Sequence, residues 1–203
     1  GVTLSEVSKV TFNGTLLKPF IHQGIVSALA ATTLDTPARE YLVQVTLVNG
    51  TMVTQTVTID ARPHVVQAFT IPEKLGGNTA AAAKKVVSTL AKDNAVLAKL
   101  WSQPKALWSK SFAYPVATPV VTDTFGYSRS TVGYEITHKG TDFRAPIGTP
   151  VYAMNRGVVR LTKTFGTYGK TVVVDHGLGL YTFYMHLSKI TVAQGQLVQQ
   201  GEQ

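Results

Sequence analysis

Between residues 41 and 47 apolar side chains recur at every second position. In EYLVQVTLVNGTMVTQTVTID, Tyr41, Val43, Val45 and Leu47 fall on one face of an extended chain, because successive strand side chains point to opposite sides. Asn49-Gly50 separates the two β-branched runs and predicts a type I′ hairpin, since both positions tolerate positive φ. Asn13-Gly14 in VTFNGTLL predicts a second hairpin. Short strands with turn signals between them predict a small β-sandwich-like domain over residues 1–72. After Gly76-Gly77 the period changes. Asn78 or Thr79 suits an N-cap, and a helix of about 20 residues is expected, with Val86, Leu90, Leu97 and Trp101 as its apolar stripe. SQPKALWSKSFAYPVATP, with prolines at 104, 115 and 119, reads as an extended linker, so residues 73–110 form a helix and linker. From residue 111 onward strand runs return: TPVYAMNRGVVRLT, KTVVVDHGLGLYTFYMHL and ITVAQGQLVQQGEQ. In the middle run Thr182, Tyr184 and His186 are expected on one face and Tyr181, Phe183 and Met185 on the other, with Asp175–Gly179 as the reversing loop. The fold class expected is mainly β, with one connecting α-helix and a C-terminal antiparallel β domain over residues 111–203.

Composition narrows the chemistry. The 203 residues are 44% hydrophobic and 15% charged, the balance of a folded globular chain. There is no cysteine, so disulfides and thiolate metal sites are excluded and any metal must use histidine and carboxylate. No apolar run reaches the length of about 18 residues that spans a bilayer, and GVTLSEVSKV is not a signal peptide. The expectation is a cytosolic protein or one whose signal or anchor has been removed. Of the net charge of +8, residues 73–110 carry +5 and residues 111–203 carry +3. Lys85, Lys92 and Lys99 repeat every seven residues along the expected helix. They read as a solvated face or as loose attraction to an acidic polymer or membrane surface. No nucleic-acid-binding motif accompanies them.

The candidate chemistry lies in ITHKGTDFRAP, where His138 and Asp142 stand four residues apart. On a straight strand their Cα atoms would be about 13 Å apart, too far to share an ion that each must approach to about 2.0–2.2 Å. The backbone must therefore bend, and Gly140 is the residue expected to allow it. The preceding SRSTVGYE is expected to be flexible. Taken alone, the pair could hold a metal or make a structural hydrogen bond. His186 alone fits a half-buried strand histidine, and His176 a structural turn residue. His22 and His64 are isolated and expected to be ordinary surface or packed histidines.

Together, TDTFGYSRS, HKGTDFRAPIGTPVYAMNRGVV and GKTVVVDHGLGLYTFYMHLSKITVAQGQLVQQGE resemble the catalytic domain of the lysostaphin-like zinc metallopeptidases, which cut peptide cross-links of bacterial cell walls. The resemblance runs from about residue 112 to the end. It rests on Phe125-Gly126, the H-x-x-x-D-[FY] pair, the P-x-G-T-P-V turn and the Y-x-H-L-S strand. It implies Zn2+ held by His138 and Asp142, and a catalytic, non-ligand role for His186 in orienting water or stabilising the oxyanion. It also implies peptidoglycan stem peptides as substrate and a periplasmic or secreted location in the cell envelope. An envelope regulator or adaptor and the membrane surface are further candidate partners, and no specific nucleic acid is expected. The family's third ligand and second catalytic histidine come from an H-x-H motif, and none occurs in these 203 residues. The peptidase domain is therefore expected to be partial and the 203-residue chain alone inactive.

Two other readings use the same residues. A non-catalytic envelope module could bind cell wall or activate another hydrolase. The cadence of TPVYAMNRGVV and GQLVQQGE also suits a biotinyl- or lipoyl-like carrier, but such a carrier needs lysine after Ala-Met and Asn155 stands there.

Overall fold

The structure, a computed structural model, describes residues 1–62, 65–68, 70–71, 73 and 76–203. His64 lies outside the described residues, as does Pro72 at the expected domain boundary. The chain divides into two compact units, residues 1–64 and 65–203.

The first unit is built from hairpins. Strands β1 (Val7–Phe12), β2 (Thr15–Leu17), β5 (Arg39–Leu47) and β6 (Met52–Ile59) form an antiparallel sheet in the order β2-β1-β5-β6. Strands β3 (Phe20–His22) and β4 (Ile25–Ser27) pair separately. The register sets Val10 opposite Val45 and Phe12 opposite Val43. Val10 and Tyr41 are buried, and Phe12 stacks on Tyr41 at 5.3 Å, so the apolar alternation of β5 does face a core.

Two expected turns differ in type. Asn13 and Gly14 both take positive φ, 46° and 80°, and join Phe12 to Thr15 as a type I′ pair should. Asn49 does not; only Gly50 is left-handed, at φ 84°. Leu47 accepts from Gly50 N at 3.0 Å and donates to Thr51 O at 2.8 Å, which is a three-residue turn closed by a glycine bulge. Leu47 thus faces Thr51, leaving Val48, Asn49 and Gly50 as the loop.

In the second unit strands β7 (Val66–Ala68), β9 (Ser128–Thr131) and β10 (Tyr134–Thr137) form one small sheet, with β7 parallel to β9. The stretch expected to be flexible is thus a hairpin, turned at Val132-Gly133, both of positive φ. Helix α1 spans Ala80–Leu97, and Thr79 caps it by accepting from Ala82 N at 3.2 Å. Its buried residues are Ala82, Ala83 and Asp93. Val86, Leu90 and Leu97 are only partly covered, and Trp101 lies beyond the helix end. The helix is held at its start by Ala82 and Ala83 packing with Ile71 and Tyr134, and further along by polar contacts: Asp93 accepts from Thr167 N at 2.7 Å, and Tyr168 Oη bonds Asn94 Oδ1 at 2.7 Å.

The main sheet runs β14 (Leu180–Leu187), β13 (Gly169–Gly177), β12 (Gly157–Phe165) and β15 (Leu197–Val198), all antiparallel. Val159, Val172, Val174, Tyr184 and Val198 form its core with Ala153. Each such large side chain contributes about 1.5–3 kcal/mol by leaving water. The strands are shorter than the apolar runs suggest: residues 149–156 are irregular, and only Leu197–Val198 of the last run is strand. The reversal expected at Asp175–Gly179 narrows to Leu178-Gly179, both left-handed at φ 57° and 82°.

The expected linker is a strap bonded to this sheet. Buried Asp175 accepts from Ser102 Oγ at 2.5 Å and Gln103 N at 2.9 Å. Leu107 N donates to His176 O at 2.7 Å, and Ala113 N to Met154 O at 3.0 Å. Lys105 crosses so close to Gly177 that a Cβ there would lie 1.9 Å from its carbonyl oxygen. An extended chain with prolines looks like a linker because its backbone partners lie far away in sequence, Met154 from Ala113 and His176 from Leu107.

Candidate metal centre

The centre is assembled by two short pairings. Strand β8 (Val121–Asp123) runs antiparallel to β11 (Asp142–Phe143), placing Asp123 opposite Asp142. Between them the chain turns through Thr124-Phe125-Gly126-Tyr127. Tyr127 N bonds Thr124 O at 3.3 Å, and Gly126 has φ 88°, a positive angle that such a turn reserves for glycine at its third position. The β9–β10 pairing then continues past its ends, with Gly126 N donating to His138 O at 2.8 Å and His138 N to Tyr127 O at 2.6 Å.

This turn fixes the imidazole. His138 Nδ1 lies 3.2 Å from Thr124 O; a carbonyl only accepts, so Nδ1 carries the proton. In the neutral ring Nε2 then presents a lone pair. That atom faces Asp142 Oδ1 at 3.1 Å. Two lone-pair atoms so close require a proton or a cation between them. Donors sharing one tetrahedral zinc at about 2.0–2.2 Å each would stand about 3.3–3.6 Å apart, within a few tenths of an ångström of the observed gap. Histidine ligands also commonly donate their other ring N–H to a carbonyl. His138 and Asp142 therefore fit zinc as two ligands.

The bend is real, but Gly140 does not make it by left-handed geometry. Gly140 is absent from the glycines of positive φ, and a Cβ there would meet only His138 Nε2, at 3.6 Å. The bend arises because the chain leaves strand β10 after Thr137 and crosses, over residues 138–141, to a different partner, β8, which pairs with Asp142-Phe143.

Sequence reasoning missed Asp123. Its carboxylate, His138 and Asp142 offer donor atoms that all lie within 4.8 Å of one another. Arg129, from β9, pairs with Asp123 Oδ2, and the same Nη2 lies 3.9 Å from Asp142 Oδ2. The signal was available only as the antiparallel register of β8 and β11, which a local motif does not carry.

His186 is placed differently from expectation. A bulge sets Val172 opposite Tyr184 but Lys170 opposite Leu187, so Tyr184 and Leu187 share the core face and His186 does not. His186 is exposed, has φ 55°, and donates its backbone N–H to Tyr168 O at 2.9 Å. His176 is fully buried, with Nδ1 2.8 Å from Arg156 O and Nε2 2.8 Å from Thr182 Oγ1. Burial pushes its pKa down against the opposing effects of that carbonyl and of Asp175. It is a structural histidine, on a strand and not in the turn. His22 sits on β3, half-buried, beside Phe20.

A groove of about 290 Å³ opens two residues beyond Asp142, lined among others by Val116, Arg144, Pro146, Thr149, Pro150 and Tyr152. No helix among the described residues is long and apolar enough to cross a membrane.

Residues 136–203 match the model of peptidase family M23. Peptidoglycan DD-endopeptidase ShyA of Vibrio cholerae is 51% identical over 65 residues, 32% of this chain and 15% of that protein. DD-carboxypeptidase/endopeptidase Mpg of Neisseria meningitidis is 37% identical over 84 residues, 41% of this chain and 20% of that protein. The matched stretches thus span about a fifth or less of these curated relatives. A crystal structure of an M23 peptidase-family protein from Pseudomonas aeruginosa superposes with a TM-score of 0.62 at 26% identity, covering 99% of this chain and 76% of that one. Over residues 136–203, which carry His138 and Asp142, the chain is thus similar to peptidase family M23, the family to which lysostaphin-like peptidases belong.

Proposed function

We propose that this chain is the substrate-facing part of a zinc-dependent endopeptidase that hydrolyses peptide cross-links of peptidoglycan in the cell envelope. The observation that carries the reading is the 3.1 Å approach of His138 Nε2 to Asp142 Oδ1 with Nδ1 already committed to Thr124 O. His138 and Asp142 hold the ion, and the Thr124 carbonyl keeps the imidazole in the tautomer that can bind it. When bound, zinc supplies Lewis acidity for amide hydrolysis. The groove lined by Arg144 and Tyr152 seats the stem peptide against apolar walls, and Arg144 receives a substrate carboxylate there. His186, exposed on β14, moves a proton or holds the developing negative charge. With two firm donors and no H-x-H among the 203 residues, the chain alone is expected to turn over little.

The test is zinc content of the purified chain, with a muropeptide digest made on protein carrying the H-x-H segment of a relative. His138→Ala or Asp142→Ala should abolish both. Zinc retained by both variants would overturn the reading.

A further inference from the structure

Strand β6 is an open edge of the first unit's sheet. Among the described residues it pairs only with β5, and every residue from Met52 to Thr58 is exposed. The opposite edge, β2, spans only Thr15–Leu17. Edge strands are normally protected by charge, proline, a bulge or shortness. Residues 51–59 contain no charged residue and no proline, the β5–β6 register runs without a shift, and β6 is 8 residues long. Leu47 N bonds Thr51 O, and bonded pairs fall at every second residue of an antiparallel ladder. Val53, Gln55 and Val57 therefore turn their backbone groups toward Val45, Val43 and Tyr41 of β5. The N–H and C=O groups of Met52, Thr54, Thr56 and Thr58 point to the open side.

We propose that β6 is a self-association edge, to which β6 of a second copy of this chain adds antiparallel about a two-fold axis through Gln55. The alternation restricts the register. Outward-facing residues must meet outward-facing residues, so the axis passes through a residue and not between two. VTQTV, residues 53–57, reads the same in both directions. An axis at Gln55 thus sets Thr54 against Thr56 of the second copy, as a pair exchanging backbone hydrogen bonds, and Val53 against Val57 of the second copy. Val53 and Val57 are 57% and 42% exposed and lie on the same face as Tyr41 and Val43. Pairing them across the axis continues that apolar face into the second copy. Threonine meets threonine on the other face, a favourable cross-strand pair. Gln55 meets its own copy at a non-hydrogen-bonded position, where side chains come closest and an amide both donates and accepts.

Sedimentation equilibrium of the full chain tests this. The mass should rise with concentration from 21.8 kDa toward twice that value, with half-association below about 100 μM. Thr56→Pro removes an outward N–H and leaves the bonds to β5 in place, so it should weaken association about tenfold or more in protein of native circular dichroism. Gln55→Lys and Gln55→Glu each set like charges across the axis, and each alone should stay monomeric at low salt. Their equimolar mixture should associate at least as tightly as the unaltered chain. Because the chain has no cysteine, Gln55→Cys reports the axis directly. Residues opposed at such a position have Cα atoms about 4.5 Å apart, within disulfide range, and oxidised glutathione should link two chains there. A chain that stays monomeric at about 1 mM overturns the proposal and leaves the edge to a strand of some other protein. Association that Thr56→Pro leaves unchanged also overturns it, as do charge variants that fail to recover on mixing.

Discussion

Asp175→Asn should destabilise the second unit by several kilocalories per mole. The carboxylate is fully buried and accepts from Ser102 Oγ, Gln103 N, Gly177 N and Arg160 Nη2 at 2.5, 2.9, 2.8 and 2.7 Å. Burial alone would raise its pKa, but these donors, with Ser102 and Arg160 foremost, outweigh burial and hold it below the usual aspartate value. It is therefore ionised at neutral pH. An asparagine keeps the shape, yet it turns an amide NH2 toward donors and leaves Arg160, 11% exposed, without its counter-charge. Breaking a buried pair in this way costs about 3–5 kcal/mol. For a urea dependence of about 2 kcal/mol per molar, the unfolding midpoint should fall by about 1.5–2.5 M. Both tryptophans, Trp101 and Trp108, belong to the second unit, and Trp101 stacks beneath Arg160 at 3.7 Å, so tryptophan fluorescence reads the right transition. A cycle with Arg160→Met should give a coupling above about 1 kcal/mol. A midpoint shift below about 0.5 M at unchanged slope would refute the assignment of Asp175 as the anchor of the strap.

Acid should weaken the same unit from a second group. Because the folded state lowers the pKa of His176, the unfolded chain takes up a proton first. Stability should then fall as pH drops below about 6.5, by at most about 1.4 kcal/mol per pH unit, until the folded pKa is passed. Asp175, also lowered when folded, adds a further loss below its unfolded value of about 3.9. Urea midpoints from pH 8 to 5 check the first window, and a profile as flat as that of His176→Gln would count against it. Gly177→Ala, at φ 91° and with the Lys105 carbonyl in the way, should cost about 2–5 kcal/mol in the same assay; a cost under about 1 kcal/mol would mean the strap yields easily. Replacing exposed Lys85, Lys92 and Lys99 by glutamine should reduce sedimentation with sacculi or anionic vesicles severalfold at low salt, and unchanged sedimentation would leave these lysines as solvated charges.

How much of this was legible in the sequence depended on how local the determinant was. Asn13-Gly14 marked its turn because two residues settle a type I′ reversal. Asn49-Gly50 looked the same, but a hydrogen bond to Thr51 closes that turn in another way. The cap of α1 at Thr79 was readable, whereas its buried face was not. Helical periodicity counts apolar residues, and this helix is anchored through Asp93 and Asn94 to the β12–β13 turn. At the end of β14 one inserted residue reverses the strict alternation that put His186 beside Tyr184. Nothing in YMHLS distinguishes the two outcomes.

The centre divides along the same line. His138 and Asp142 were visible because their spacing is itself the motif, and Phe125-Gly126 because a left-handed glycine has few substitutes. Asp123 was invisible because its relevance comes from register: it matters only once β8 lies against β11. Yet all four of these features fall between residues 123 and 142. The carbonyl of Thr124 selects the histidine tautomer, the glycine two residues later makes that carbonyl available, and the aspartate one residue earlier supplies the charge that faces Asp142. A candidate metal cradle contained within 20 consecutive residues needs little long-range order to form. Donor geometry at His138 should therefore withstand changes in the distant strap that cost the unit several kilocalories per mole, and zinc affinity and global stability should vary independently across the substitutions described above.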